Sequence, residues 1–541
     1  MRACFLVCLV LLGPIAAQSR PEETPVPASA FEVRGWDIER PDPDYVIDMI
    51  HRAHDAGMNT ISLSHEVVMN AEEILWDWHR YKHLRRFCDE AHKLDMVVYL
   101  WNHQIVNPPA DLIVDGPEEG WKFLRFDDPR LREWLYDRYE RVVERVPNLD
   151  GIILSLTESE FQIHRDSDSP FWGLKKTGVI SESPPAERMA AVINTMHAAL
   201  SRHGKRLIVR DFLRTPAEMA QFREAMANVP DDVWVFSKCV PNDWQYRYPP
   251  HPNLGRVKPH VQIMELDLFN ETAANAGLVM PALEYYRDQL LLARKNGLAG
   301  AIGRVDDGFA TNEGTPARAS TYAYSVLLNN ADYDVDALWR EYFVPFYGER
   351  AAPTAIEVLR ETFDMVCAIR YTLGFWTGGA GSSVEYVDFH LVNHSSAIWS
   401  SDAKYVETEK LLMESGPEAV EAVVAEKRGA EETARACLKK LEENWHLFEQ
   451  GRYEQLAGYF ERAARQAELG RMWARTYFAM RWVRRSDSPR ARAELEAAAA
   501  ECDAFIRAAP SAEREHVARL PDLVDEADAL LARTDDDKTV K

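Results

Sequence analysis

Carboxylates stand at or near the ends of several short apolar runs, and these are the residues that could carry out acid–base chemistry. Glu158 and Glu160 follow directly after one such run. Glu265 lies inside a second run, and Asp243 precedes it by 22 residues. Hydrolysis of a glycosidic bond requires one carboxyl group that donates a proton and another that activates water. The spacing therefore favours glycoside hydrolysis, with these four residues as candidate catalytic groups.

Glu158 is the first candidate for the proton donor, because burial at the end of an apolar strand is expected to raise its pKa. Glu160 is the alternative, since it lies on the same face if the strand continues. Glu265 and Asp267 share one face of an alternating strand, where a carboxylate is costly unless it has a partner or a function. We expect Asp243 to meet Glu265 across adjacent strand ends, so that the two hold a water molecule as the base.

Aromatic and basic residues accompany these carboxylates at other predicted strand ends. Aromatic faces stack on the apolar faces of sugar rings. The carboxylate of a uronic acid needs a cation, and arginine suits it better than lysine because its guanidinium can donate two parallel hydrogen bonds. For each residue alone, rim packing, a helix cap or charge neutralisation is the alternative role. The candidate substrate-binding residues are Trp36, His65, Trp101, His103, Arg210, Lys238, Trp244, Arg304 and Asp307.

Positioning so many strand ends together requires a particular fold. Eight apolar runs alternate with stretches of helical periodicity, and this predicts a (β/α)8 TIM barrel with its chemistry at the C-terminal ends of the strands. An open doubly wound sheet is the alternative, but no run is followed by a Gly-rich phosphate turn. The predicted strands are Phe31–Ile38, Thr60–Ser64, Met96–Trp101, Leu149–Leu156, Leu207–Phe212, Val233–Cys239, Val261–Leu268 and Ala299–Val305.

The chain divides into four predicted segments. Residues 1–18 have the short apolar run and terminal small residues of a signal peptide, which predicts export to the periplasm or the extracellular space. Residues 19–30 are a Pro- and Glu-rich linker, and residues 31–335 form the barrel. Residues 336–541 carry helix-period apolar residues among dense Glu, Arg, Lys and Ala, and predict a C-terminal helical domain. Its charged surface is a candidate interface for a homodimer.

Charge and motifs narrow the partners. The 541 residues include 63 Lys and Arg against 86 Asp and Glu, a formal net charge of −23. A negative field favours neither nucleic acid nor an anionic membrane as a partner. The sequence contains no phosphate loop, nucleophile elbow or zinc-ligand spacing, so we predict no cofactor and no metal. The sequon at Asn270 falls in the predicted site, which favours an export route without N-glycosylation, such as a bacterial one.

Two segments resemble a known family. Lys238-Cys-Val-Pro-Asn-Asp-Trp-Gln245, followed by Glu265-Leu-Asp-Leu-Phe-Asn-Glu271, is similar to the Lys-x-x-Pro-x-Asp-aromatic-Gln and Glu-x5-Glu motifs of the glycoside hydrolase family 67 α-glucuronidases. The resemblance implies an inverting exo-hydrolase with Asp243 and Glu265 as the base and a glutamate after strand four as the acid. The family has Asn and Gly where this chain has Cys239 and Val240. It also has an N-terminal β-rich domain, for which we expect the segment before Phe31 to be too short.

The sequence therefore predicts an exported glycoside hydrolase that acts at chain ends or side branches of a polysaccharide or oligosaccharide containing uronic acids. One alternative is a metal-dependent barrel that isomerises or cleaves a free sugar acid. Such an enzyme would be inactivated by a chelator. A second alternative is a glycan-binding barrel without turnover. The ligands of the metal-dependent alternative would come from Glu158, Asp211, Glu265 and Asp307, with His65 or His103.

Overall fold

The computed structural model describes residues 30–116, 119–165, 176–241, 243–376, 400–508 and 520–532. Eight parallel strands form a closed barrel in which each strand pairs with its neighbours in sequence and β1 closes onto β8. The closed barrel is confirmed, and each predicted strand matches an observed one to within two residues at either end. The strands are β1 (Val33–Ile38), β2 (Thr60–Leu63), β3 (Val97–His103), β4 (Gly151–Ser155), β5 (Arg206–Asp211), β6 (Trp234–Lys238), β7 (Gln262–Asp267) and β8 (Gly300–Arg304).

Helices cover the barrel, and their starts are fixed by local chemistry. The side chains of Asp42, Asp77 and Asp128 accept backbone N–H groups of the first turns of α1, α2 and α3. Residues 239–241 and 243–261, between β6 and β7, form no helix, as the Pro-rich sequence predicts. The barrel helices are α1 (Pro43–Asp55), α2 (Trp78–His92), α3 (Pro129–Arg145), α4 (Pro185–Ser201), α5 (Pro216–Met226), the short α6 (Glu271–Ala274), α7 (Leu283–Lys295) and α8 (Ala319–Asn329).

The region after the barrel is helical, as predicted. Its first part, between Val335 and Arg370, is divided into three helices. The predicted signal peptide and nearly all of the predicted linker lie outside the described residues. None of the described helices is both long and apolar enough to cross a membrane. The helices are α9 (Val335–Tyr347), α10 (Ala352–Arg360), α11 (Thr362–Arg370), α12 (Ala403–Glu414), α13 (Pro417–Glu443), α14 (Gln450–Ser486), α15 (Pro489–Ala508) and α16 (Leu520–Leu531).

One hydrophobic core joins the barrel to the helical region. Tyr286 of α7, Trp339 of α9 and Phe460 of α14 belong to the same buried cluster. A separate cluster fills the far end of the helical region, where Phe478 of α14 packs with residues of α12, α13, α15 and α16. Burial of apolar surface in the shared cluster holds the two regions together.

The interior of the barrel is apolar in its middle and polar near the C-terminal ends of the strands. Tyr99, Ile153, Ile208 and Phe236 form part of an inner cluster within the barrel. Because side chains alternate along a strand, the inward positions nearer the C-terminal ends are those of the functional candidates. Arg210 of β5, two residues beyond Ile208, therefore projects into the mouth of the barrel.

Two small sheets, which the sequence did not predict, lie in the loops that surround that mouth. Ile113–Asp115, Lys122–Arg125 and Thr177–Ile180 form a three-stranded sheet from the loops after β3 and β4. Asp306–Asp307 and Ala310–Thr311 form a hairpin directly after β8. Strands of two to four residues are too short to leave a recognisable alternation in the sequence.

Candidate active site

One guanidinium group organises the mouth of the barrel. Arg210 donates from Nε and Nη2 to the two oxygens of Glu265, each at 2.7 Å, and its Nη1 donates to Glu158 at 2.5 Å. Charge-assisted and bidentate bonds of this kind are the strongest that side chains make. The structure thus brings together three residues that the sequence singled out at the ends of β4, β5 and β7.

A lysine lies between the other two candidate carboxylates. The Lys238 ammonium bonds to Asp243 and lies 3.9 Å from Glu265 Oε1. It also lies 3.5 Å from the centre of the Trp244 ring. Asp243 and Glu265, which were expected to meet across adjacent strand ends, therefore share Lys238 as a common cation.

The carboxylates differ in their access to solvent. The side chains of Glu158 and Asp243 are 30% and 35% exposed, whereas that of Glu265 is 7% exposed. Glu158 and Asp243 thus face the open mouth. Glu265 lies beneath them, held by Arg210 and Lys238.

The electrostatics of Glu158 correct the sequence-based expectation. Burial alone would raise the pKa of Glu158, but the adjacent charge of Arg210 holds it well below its usual range. The expectation of a raised pKa was wrong, because the sequence could not show that a guanidinium contacts this carboxylate. The pKa of Asp243 is likewise lowered, since the charge of Lys238 outweighs burial.

A second charged cluster lies beside the first. Arg304 is within 3.6 Å of the carboxylates of Asp267, Glu271 and Glu39. Burial raises the pKa values of Asp267 and Glu271 even though Arg304 opposes it. All three cations that the sequence offered for a substrate carboxylate, Arg210, Lys238 and Arg304, are thus already neutralised by acidic side chains.

Two histidines and a tryptophan line the same side of the mouth. His103 Nδ1 lies 3.0 Å from the Met69 carbonyl, and its Nε2 accepts the Trp101 indole N–H at 3.0 Å. His103 Nε2 also lies 3.7 Å from the Glu158 carboxylate, so this ring connects Trp101 to the candidate acid. His65 Nδ1 lies 2.9 Å from Glu39; burial would lower the pKa of His65, but the charges of Glu39 and Glu158 raise it.

Three candidates lie away from this constellation. Trp36 points outward from β1, where its indole N–H donates to Ser325 of α8, so it is not available to stack on a sugar. The Glu160 carboxylate accepts the backbone N–H of Asn107 and braces a loop. Asp307 lies in the hairpin after β8.

Residues that sequence reasoning missed also belong to the mouth. Glu39 follows Asp37 by two residues and so continues the inward phase of β1, a signal that was available. Arg214 interacts electrostatically with Asp243 and Glu158, and burial lowers its pKa to about 10. No sequence signal marks Arg214, because it lies in a loop whose course only the tertiary structure defines.

The geometry also bears on a metal site. No group of three or more His, Cys, Asp or Glu side chains among the described residues is arranged to hold a metal ion. Asp211, one of the ligands considered, faces outward from β5 and accepts hydrogen bonds from Ser237 and Asn253. The carboxylates at the mouth are instead paired with Arg210, Lys238 and other cations.

Comparisons with known proteins bear on the fold. No family model and no curated protein matches the sequence. Among solved structures, the chain is similar to a GH138 enzyme targeting pectin rhamnogalacturonan II, with a TM-score of 0.59 and 13% identity over 92% of this chain and 63% of that one. It is more distantly similar to an O-GlcNAc hydrolase from Thermobaculum terrenum (TM-score 0.46, 9% identity, 93% and 94% coverage) and to CpGH84B (0.44, 10%, 93% and 77%).

The likeness to the GH138 enzyme shows a fold that is found in glycoside hydrolases. This chain spans less than two thirds of that enzyme's length, at 63%. The match does not single out the α-glucuronidases of family 67, the family suggested by the motifs around Lys238 and Glu265.

Proposed function

We propose that the protein is a glycoside hydrolase that releases a uronic acid from the end or a side branch of a polysaccharide. The observation that carries this proposal is that Glu158 and Asp243, both partly exposed at the C-terminal mouth of the barrel, are held by Arg210 and Lys238, two cations that meet at Glu265. Two carboxylates held together at this end of the fold are the arrangement that glycosidic hydrolysis uses.

The exposed carboxylates have separate roles in this proposal. Glu158 protonates the glycosidic oxygen of the leaving sugar, and Asp243 takes a proton from the attacking water. Glu265 supports both, because it fixes Arg210 and, through Lys238, the position of Asp243. Attack by water on the face opposite the leaving group inverts the anomeric configuration.

Arg210 favours the ionised form of Glu158 in the empty site, and an acidic substrate explains how Glu158 then becomes protonated. The substrate carboxylate takes over Nη1 of Arg210, which weakens the interaction that keeps the pKa of Glu158 low. Glu158 then binds the proton that it donates. The fold likeness to an enzyme targeting pectin rhamnogalacturonan II supports a polysaccharide of this kind as the substrate.

The test is sugar release from a panel of acidic and neutral oligosaccharides, with and without EDTA. Glu158→Gln and Asp243→Asn, which remove the proposed acid and the proposed base, should each reduce kcat by about 10²–10⁴-fold. Glu160→Gln, a matched change two residues from Glu158, should keep activity within about threefold because its carboxylate bonds to the backbone of Asn107 and can be replaced there by the amide oxygen of glutamine. Turnover should be indifferent to EDTA and should favour uronides over the corresponding neutral sugars.

Two outcomes would contradict the proposed function, and a third would contradict one part of it. Loss of turnover in EDTA would favour the metal-dependent isomerase or aldolase. Binding of oligosaccharides without release of sugar would favour a glycan-binding barrel. Proton NMR of the first-formed anomer distinguishes inversion from retention. A retained configuration would contradict the role given to Asp243 and would leave the rest of the proposal standing.

A further inference from the structure

Phe309 is the most exposed large apolar side chain among the described residues, at 83%. It lies at the tip of the hairpin that follows β8, between Asp307 and Ala310. A single exposed apolar side chain is common on protein surfaces, so the place of this ring at the mouth of the barrel is what makes a substrate a candidate to cover it.

The hairpin is firmly fixed at the mouth of the barrel. The Asp306 carboxylate accepts the backbone N–H groups of Glu39 at 2.8 Å and Arg40 at 3.0 Å. The Gly308 N–H donates to the Glu39 carboxylate. A side chain at Gly308 would collide with Glu66, whose Cγ lies 2.2 Å from the position of the missing Cβ. The ring of Phe309 is therefore presented by a preorganised turn that packs on the ends of β1 and β2.

A chain of contacts connects this turn to the proposed proton donor. Glu39 lies 2.9 Å from His65, and the His65 ring centre lies 5.4 Å from that of Trp101. Arg210 lies 4.6 Å from the centre of the Trp101 ring and donates to Glu158. The hairpin thus borders the side of the mouth that holds His65, Trp101 and Glu158.

We infer that Phe309 is a stacking platform for the leaving-group sugar and favours oligosaccharide substrates over substrates with a small leaving group. The ring that it accepts is a pyranose with an apolar face, because C–H groups of such a face pack on aromatic rings. This inference rests on the proposed hydrolase function and adds the subsite next to the scissile bond.

The test compares two substrates of the same released sugar: a pectic oligosaccharide and the glycosyl fluoride, which has no leaving-group ring. Phe309→Ala should raise KM for the oligosaccharide about tenfold. It should leave kcat/KM for the fluoride within about twofold, and Phe309→Trp should restore the oligosaccharide KM. Trp445→Ala is the matched control, since Trp445 is 62% exposed but lies in the helical region.

Equal losses on both substrates would overturn the inference, because they would show that Phe309 supports the hairpin and not the leaving sugar. A wild type that releases no sugar would overturn the proposed function instead. In that case calorimetry with the pectic oligosaccharide still decides the inference. Binding about tenfold weaker in Phe309→Ala supports it, whereas equal or undetectable binding in both proteins overturns it. A wild-type dimer that Phe309→Ala converts to a monomer would assign the ring to a second copy of the chain.

Discussion

At the scale of single residues, the charges around Asp243 and Glu158 define how the site works. Each exposed carboxylate has its own cation, Lys238 for Asp243 and Arg210 for Glu158. Each cation also faces the buried Glu265. These cations favour the ionised forms of Glu158 and Asp243 in the empty site. In the proposed mechanism, protonation of Glu158 therefore depends on how the substrate changes its contact with Arg210.

The ammonium group of Lys238 should set the acid limb of the pH profile. Burial raises the pKa of Asp243 and the charge of Lys238 lowers it, with the lowering dominant. Removing that charge in Lys238→Met should raise the pKa of Asp243. The base then becomes protonated at higher pH, so the acid limb of kcat/KM should move to higher pH. Lys122→Met, which changes an exposed lysine in the small sheet, should leave the profile unmoved; an unchanged limb in Lys238→Met would reject Asp243 as the base.

Asp37 should make the protein less stable as the pH rises. Burial and the neighbouring charge of Glu39 raise its pKa to about 7, above the value of about 3.9 expected in the unfolded chain. The folded state holds this proton more tightly, so the contribution of Asp37 to stability is greatest below about pH 4 and is lost as the pH rises through about 7. Asp37→Asn should remove this loss and gain roughly 2–4 kcal/mol at pH 8 relative to wild type.

Urea unfolding at pH 5 and pH 8 measures this difference. Asp44→Asn is the control, because the side chain of Asp44 is 92% exposed. If wild type and Asp37→Asn differ in unfolding free energy by the same amount at both pH values, the raised pKa of Asp37 is refuted.

At the scale of elements, the start of α5 connects two loops at the mouth. Thr215 and Glu218 form a capping box, in which Glu218 Oε2 accepts the backbone N–H groups of Arg214 and Thr215. Glu218 Oε1 also accepts from Arg165 of the loop after β4, at 2.6 Å. One carboxylate thus holds both a helix start and the loop that follows the candidate acid.

This double role predicts unequal effects of two mutations in the same cap. Thr215→Ala removes one cap bond and should cost about 1 kcal/mol of unfolding free energy. Glu218→Ala removes the reciprocal bonds and leaves Arg165 without this partner, and should cost about 2–4 kcal/mol. Chemical denaturation measures both, and equal losses would show that the contact with Arg165 contributes nothing.

At the scale of the whole molecule, the helical region helps to build the site. The Tyr371 hydroxyl, directly after α11, accepts the backbone N–H of Tyr246 at 3.1 Å and lies 3.3 Å from the Trp244 carbonyl. Both residues belong to the loop after β6 that carries Asp243. The region beyond the barrel therefore positions a residue of the mouth as well as adding to the core.

Tyr371→Phe should separate this positioning from packing. The ring is kept, so the loss of hydrogen bonds should cost about 1–2 kcal/mol of stability. We expect kcat to fall several-fold with little change in KM, because the base is misplaced while the substrate contacts remain. Tyr333 lies between α8 and α9, and its hydroxyl bonds to Glu341 of α9. Tyr333→Phe removes this bond and should leave kcat unchanged. Equal kcat values for wild type and Tyr371→Phe would show that the loop is fixed without the helical region.

The sequence by itself determined the barrel and most of its mouth. Eight short apolar runs separated by helical stretches leave little choice of architecture, because alternating strands and helices pack as a parallel sheet. The predicted strand ends then placed Arg210, Lys238 and Glu265 together at the C-terminal mouth, because the parallel strands of a barrel end on the same side. These are local properties, set by periodicity along one strand.

Only the tertiary structure decided how the candidates divide. Glu158 and Glu160 are two residues apart, yet one contacts Arg210 and the other braces a loop. Trp36 lies on a predicted strand end but faces the helices, since its phase on β1 is outward. Ion pairs join residues that are distant in sequence, and a pKa follows the nearest charge in space, so neither the pairing on Arg210 nor its effect on Glu158 can be determined from the order of residues alone.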